Sequence, residues 1–75
     1  MTENQKSIAA WAEDTFGPVQ DQSVLVRRAM VELEELQEAT DAGDRAEIGK
    51  ETADIVILLS RLLELNGLSL ADEIN

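Results

Sequence analysis

Four residues, Asp41-Ala42-Gly43-Asp44, split the longest helix-forming stretch of this sequence in two. Gly43 is free to take a positive φ and end one helix, while Asp44 can cap the next, with Glu47 three residues on. Val24 to Thr40 on one side and Arg45 to Leu65 on the other carry apolar residues at helical spacing. Two helices of that length joined by so short a turn must lie antiparallel, so the sequence commits the chain to a helical hairpin.

The flanks are punctuated in the same way. Ahead of the hairpin, TENQKSIAAWAEDTF reads as a helix with Thr2 as N-cap and Gln5 reaching back, stopped by Gly17-Pro18. The loop GPVQDQS then offers Asp21 or Ser23 as the cap of the second helix. Behind the hairpin, Asn66-Gly67 closes the third helix, and Ser69 with Asp72 opens a short last one, SLADEIN. The run IVILL could pass for a buried strand. The apolar pattern continues through Leu62, Leu63 and Leu65 without a turn signal, however, and that favours helix. With no repeat or linker, residues 1–75 form a single all-α domain.

Such a hairpin has little to pack against. A chain of 75 residues buries only about 60% of the surface its unfolded form exposes, and apolar residues fall almost all round the third helix from Ile55 to Leu65. The expected assembly is a homodimer or homotetramer in which two hairpins form a four-helix bundle.

Charge narrows the partners. Sixteen acidic against 6 basic residues give a formal net charge of −10, which repels nucleic acid and anionic membranes and favours a divalent cation. There is no histidine and no cysteine, so imidazole acid/base chemistry, imidazole–zinc sites and thiolate chemistry are excluded. The N-terminus MTENQKSIAA lacks a basic segment followed by an apolar one, and no apolar run approaches the ~20 residues needed to span a bilayer. A soluble cytoplasmic protein is expected.

The acidic residues are not scattered at random. With a step of ~100° per residue, the second helix has an apolar stripe through Leu25, Ala29, Leu33 and Leu36, with Glu32 at its edge and Glu35 one step beyond, on the side of Arg28. Glu34 and Glu38 project from the opposite face. On the third helix Glu51 falls inside the stripe of Ile48, Ile55, Leu59 and Leu62, with Asp54 on its flank. No lysine or arginine shares that stripe, so Glu51 is either protonated or faces a cation. The pairs Glu32/Glu35 and Glu51/Asp54, each at i, i+3 spacing, can converge between the helices. Oxygen ligands without nitrogen or sulfur suit Mg²⁺ or Mn²⁺, and Mg²⁺ commonly completes its shell with substrate phosphates. A di-iron bundle would want Glu-x-x-His, and an EF-hand counted from Asp41 would place Ala46 and Thr52 where Gly and Glu are needed.

VELEELQEA followed, after a short turn, by ETADIVILLSRLLELNGLSLADEI resembles the MazG-like all-α nucleoside triphosphate pyrophosphohydrolases, whose pattern is E-E-x-x-E and then E-x-x-D running into an apolar helix. The resemblance covers residues 24 to 75. The literal first motif is Glu34, Glu35 and Glu38, whereas helical geometry favours Glu32 and Glu35, with Val31 where the family's first glutamate would stand. Related proteins commonly continue with a basic, asparagine-containing segment that holds phosphates, and this sequence ends at Asn75.

The resemblance implies hydrolysis of a nucleoside triphosphate to the monophosphate and pyrophosphate, with Mg²⁺ held by Glu32, Glu35, Glu51 and Asp54. Glu35 or Glu38 would accept the proton of the attacking water. Arg28 and Lys50 are the cations available to phosphates, although Lys50 also has Glu47 and Asp54 at ion-pairing distance along its helix. Trp11 could stack a base, or simply pack near Ile8. The competing expectation is a non-catalytic acidic helical dimer that binds a partner protein, which would leave the position of Glu51 without a cause.

Overall fold

The computed structural model describes residues 3–75. Four helices follow in order, α1 (Gln5–Phe16), α2 (Ser23–Ala42), α3 (Arg45–Leu65) and α4 (Leu70–Ile74). Among the described residues the structure is all-α, and no helix is long and apolar enough to cross a membrane.

The turn between α2 and α3 forms for the reasons the sequence gives. Gly43 takes a left-handed φ of 67°, Asp44 donates its backbone N–H to Ala39 O at 3.0 Å, and the Asp44 carboxylate accepts from Glu47 N. α3 ends alike, with Gly67 at φ 64° and Leu68 N donating to Leu63 O. At the start of α2 the N-cap is Gln22, without a side-chain cap bond, and neither Asp21 nor Ser23 takes that position. The Asp21 carboxylate instead accepts from both the N–H and the hydroxyl of Ser23, and these bonds hold the Asp21 carboxyl below its ordinary value.

The beginning of α1 differs from expectation. Thr2 lies outside the described residues, and the N-cap is Asn4, whose side chain accepts from Ser7 N while Ser7 Oγ accepts from Asn4 N, both at 2.9 Å. A reciprocal box of this kind needs a short acceptor at the cap and a hydroxyl three residues on, which Asn4 and Ser7 supply. Gln5 is thereby released for longer-range use. Its amide donates to Glu64 Oε1 and Leu68 O and accepts from Leu70 N, tying the start of α1 to the α3–α4 junction.

α2 and α3 are antiparallel, and α1 packs on α3. The buried lines, made of buried and half-buried residues, run through Leu25, Ala29, Glu32, Leu36 and Ala39 on α2 and through Ile48, Glu51, Ile55, Leu58 and Leu62 on α3. Leu33 and Leu59, expected in those stripes, are instead 51% and 42% exposed. Steps of four residues drift by ~40° each, whereas alternating steps of four and three keep a line facing its neighbour along a helical pair.

That register gives the hairpin two distinct sides. Met30, Leu33, Val56 and Leu59 each follow a buried-line residue by one position, and in an antiparallel pair one step of ~100° turns both helices toward the same side. Arg28, Glu35, Asp54 and Arg61 each precede a buried-line residue and turn to the other. The core between is thin: the buried apolar residues are Ala9, Ala12, Leu25, Ala29, Ala39 and Ile55.

Candidate metal centre

Glu32 and Glu51 occupy positions in the α2–α3 seam that would otherwise hold aliphatic side chains. Glu32 is half-buried and Glu51 only 5% exposed. Glu35, one helical turn past Glu32, comes in from the polar side, and one carboxylate oxygen from each of the three lies within 4.8 Å of the others. Glu51 Oε2 is buried with no hydrogen-bond partner.

Three carboxylates this close cannot all remain ionised without a cation. A proton shared with Glu32, then burial, then a further bond with Glu35 push the Glu51 carboxyl up to about 7. The donor set is all hard oxygen, and Glu51 adds to it a buried oxygen without a hydrogen-bond partner. These residues fit a divalent ion such as Mg²⁺ or Mn²⁺.

Asp54 is outside this trio. Its spacing of three from Glu51 rotates it toward the polar side, where it is half-buried and lines a cavity of about 500 Å³ together with Glu32, Arg28 and Arg61. The rest of the lining is mostly apolar, Leu25, Ile57 and Leu58 among it, with Gln20 and Asp21 as its polar members and the Phe16-Gly17-Pro18 segment as rim. That size falls within the range of small-molecule sites. The cavity opens beside the carboxylate trio because Glu32 belongs to both.

The remaining candidates stand apart. Glu34 and Glu38 are exposed and outside the trio, so Glu32 and Glu35 are the glutamates of α2 that meet Glu51. Lys50 is exposed and does not line the cavity. Trp11, half-exposed, packs edge-to-face on Phe16 with ring centroids 5.7 Å apart, and it is Phe16 that reaches the cavity rim.

Arg61 was not legible as a site residue. It is buried, lines the cavity, and donates from Nη2 to Gly17 O, holding the α1–α2 loop against α3. The available signal was its place as the lone cation in the apolar run that follows Asp54.

The family description of phosphoribosyl-ATP pyrophosphohydrolase matches residues 9–75. The chain belongs to that family. It is a member of the all-α superfamily of nucleoside triphosphate pyrophosphatases whose pattern the sequence resembles, and the match is to the phosphoribosyl-ATP branch rather than to MazG itself. No curated protein and no solved structure shows significant similarity to the chain. Family membership makes this a nucleotide pyrophosphohydrolase domain.

Proposed function

We propose that the protein cleaves the α–β phosphate linkage of a nucleoside triphosphate, or of a nucleotide built on one such as phosphoribosyl-ATP, releasing pyrophosphate and the monophosphate. The observation that carries this reading is the meeting of Glu32, Glu35 and Glu51 at one point, with an oxygen of the buried Glu51 left unpartnered. Glu32, Glu35 and Glu51 would hold Mg²⁺, or Mn²⁺ in its place, with Asp54 at the edge of the same site. When bound, the ion supplies charge neutralisation for the polyphosphate and lowers the pKa of a coordinated water.

The side chains divide the remaining work. Glu35 approaches from the polar side and is the residue placed to take the proton of the attacking water as the phosphorus–oxygen bond to pyrophosphate breaks. Glu38 is exposed and outside the trio, which favours Glu35 for that role. Arg28, one turn before Glu32 and on the cavity lining, faces the developing charge on the phosphates. Lys50 and Trp11 lie outside the cavity, so a contact of either with phosphate or base belongs to its outer approach.

A second copy of the chain completes the assembly in this reading. Met30 and Leu33 of α2 and Val56 and Leu59 of α3 form a bare apolar strip on the side away from the cavity. The strip lies along both helices, so a twofold partner could cover it and form a four-helix bundle, as a dimer or as half of a tetramer. A cytoplasmic location fits a nucleotide substrate.

Pyrophosphate release from a panel of standard and modified nucleoside triphosphates and phosphoribosyl-ATP, in Mg²⁺ and in EDTA, tests the proposal. Metal-dependent release from at least one member is expected. No release from any, with no nucleotide shifting the melting temperature, would leave the acidic interaction module as the better account.

A further inference from the structure

We infer that Arg61 anchors a phosphoryl group of the nucleotide that lies apart from the polyphosphate. The inference rests on the nucleotide reading of the cavity given above. Arg61 is 8% exposed, and its hydrogen-bond partner among the described residues is a neutral carbonyl, Gly17 O. A guanidinium carries five donors and keeps its charge when buried, so it needs acceptors, preferably anionic ones. Glu13 and Glu64 border a smaller cavity that Arg61 also lines; Glu64 is taken by Gln5 at 2.7 Å, and neither carboxylate bonds Arg61.

Position supplies the second half of the argument. Arg61 follows Asp54 by two helical turns on the same side of α3, which separates them by about 10 Å along the axis. Both line one cavity, whose lining includes the apolar Leu25, Ile57 and Leu58, together with Gln20 and with Asp21, whose carboxylate is taken by Ser23. The cavity therefore has a metal-binding carboxylate end, a greasy middle suited to a base, and a buried cation at the far end. An ordinary nucleoside triphosphate brings all its charge to the first end and leaves Arg61 unanswered. A nucleotide with a second, phosphorylated sugar, such as the phosphoribosyl-ATP that the family's description names, carries an anion at each end when that sugar sits on its base.

Two ligands that lack an α–β linkage separate this idea from turnover: phosphoribosyl-AMP, and the same molecule without the phosphate on its second ribose. Their affinities for the full chain in Mg²⁺, measured by calorimetry, should differ by at least about ten-fold, the scale of a hydrogen-bonded charge pair. Arg61→Gln, which keeps a donor for Gly17 O, should shrink the difference to less than about two-fold and leave the weaker ligand's affinity unchanged. Arg61→Lys, which keeps the charge without the planar fork, should retain part of it. Equal binding of the two ligands by the unaltered protein overturns the inference, whether or not the protein hydrolyses anything. So does a Gln variant, folded by circular dichroism, that weakens both ligands alike, because Arg61 would then act only as the clamp of the Gly17 loop. Should the Gln variant not fold, the ligand pair on the unaltered and Lys proteins decides, and complete loss of the difference in the Lys variant counts against a charge-based anchor.

Discussion

The two sides of the α2–α3 hairpin are built from the same helices, one residue out of step, and they differ in almost everything else. Arg28, Glu35, Asp54 and Arg61 precede buried-line positions, and all but Glu35 line a cavity, while Met30, Leu33, Val56 and Leu59 follow them and stand bare. A rotation of ~100° thus separates a site for charge from a surface for contact. What the contrast teaches is that the seam between them, where Glu32 and Glu51 displace aliphatic side chains, gives up packing in order to deliver carboxylates to the polar side. In the assembly proposed above, a second copy on the bare side would support a hairpin weakened along its own seam.

The largest effect that would break this picture falls on the seam. Glu51→Gln removes a ligand oxygen and the shared charge, so pyrophosphate release should drop on the order of 10³-fold, with sedimentation unchanged because the bare side is untouched. Retained turnover would place the chemistry elsewhere. Glu35→Gln should lower kcat by about 10²-fold with KM less affected, as expected for a group that accepts a proton rather than binds the ion alone. On the other side, Leu33→Asp should weaken self-association by ten- to a hundred-fold, the worth of about 1.5–3 kcal/mol of buried leucine, read by sedimentation across a dilution series. An unaltered association constant would mean that some other surface joins the copies.

How much of this was legible in the sequence depends on the physics behind each signal. The hairpin was, because Gly43, Asp44 and Gly67 act through backbone geometry that is local to a few residues. Glu51 was, because its neighbours Ile48 and Ile55 are unambiguous and a carboxylate between them stands out. Leu33 and Leu59 were misplaced, since an ideal helical wheel does not know the alternating four-and-three spacing that packing against a partner helix selects. The first residues of α1 were harder to read for a different reason: several polar residues near the N-terminus can cap a helix, and among the described residues it is the Asn4–Ser7 pair that satisfies both donors at once. Arg61 escaped because its importance comes from a carbonyl 44 residues away, Gly17 O, and from a cavity that forms only when α1 and its loop fold over α3.

The subtlest effect to look for is the response of the metal-free protein to pH. The Glu51 carboxyl is raised from an ordinary 4.5 to about 7 by the bond it shares with Glu32 and by burial. Between those two values the folded chain holds a proton that the unfolded chain has released, so folding stability falls as pH rises through this window and levels off above about 7. A bound cation takes the place of that proton. Thermal melts in EDTA should therefore show a melting temperature that declines from pH 5 toward pH 7.5, while added Mg²⁺ should raise it more at pH 7.5 than at pH 5. Glu51→Gln should flatten the first trend and abolish the second, since an amide neither titrates nor offers an anionic oxygen. A melting temperature that climbs with pH in EDTA would mean that the three carboxylates sit apart in solution, and the polar side would then be no more a metal site than the bare one.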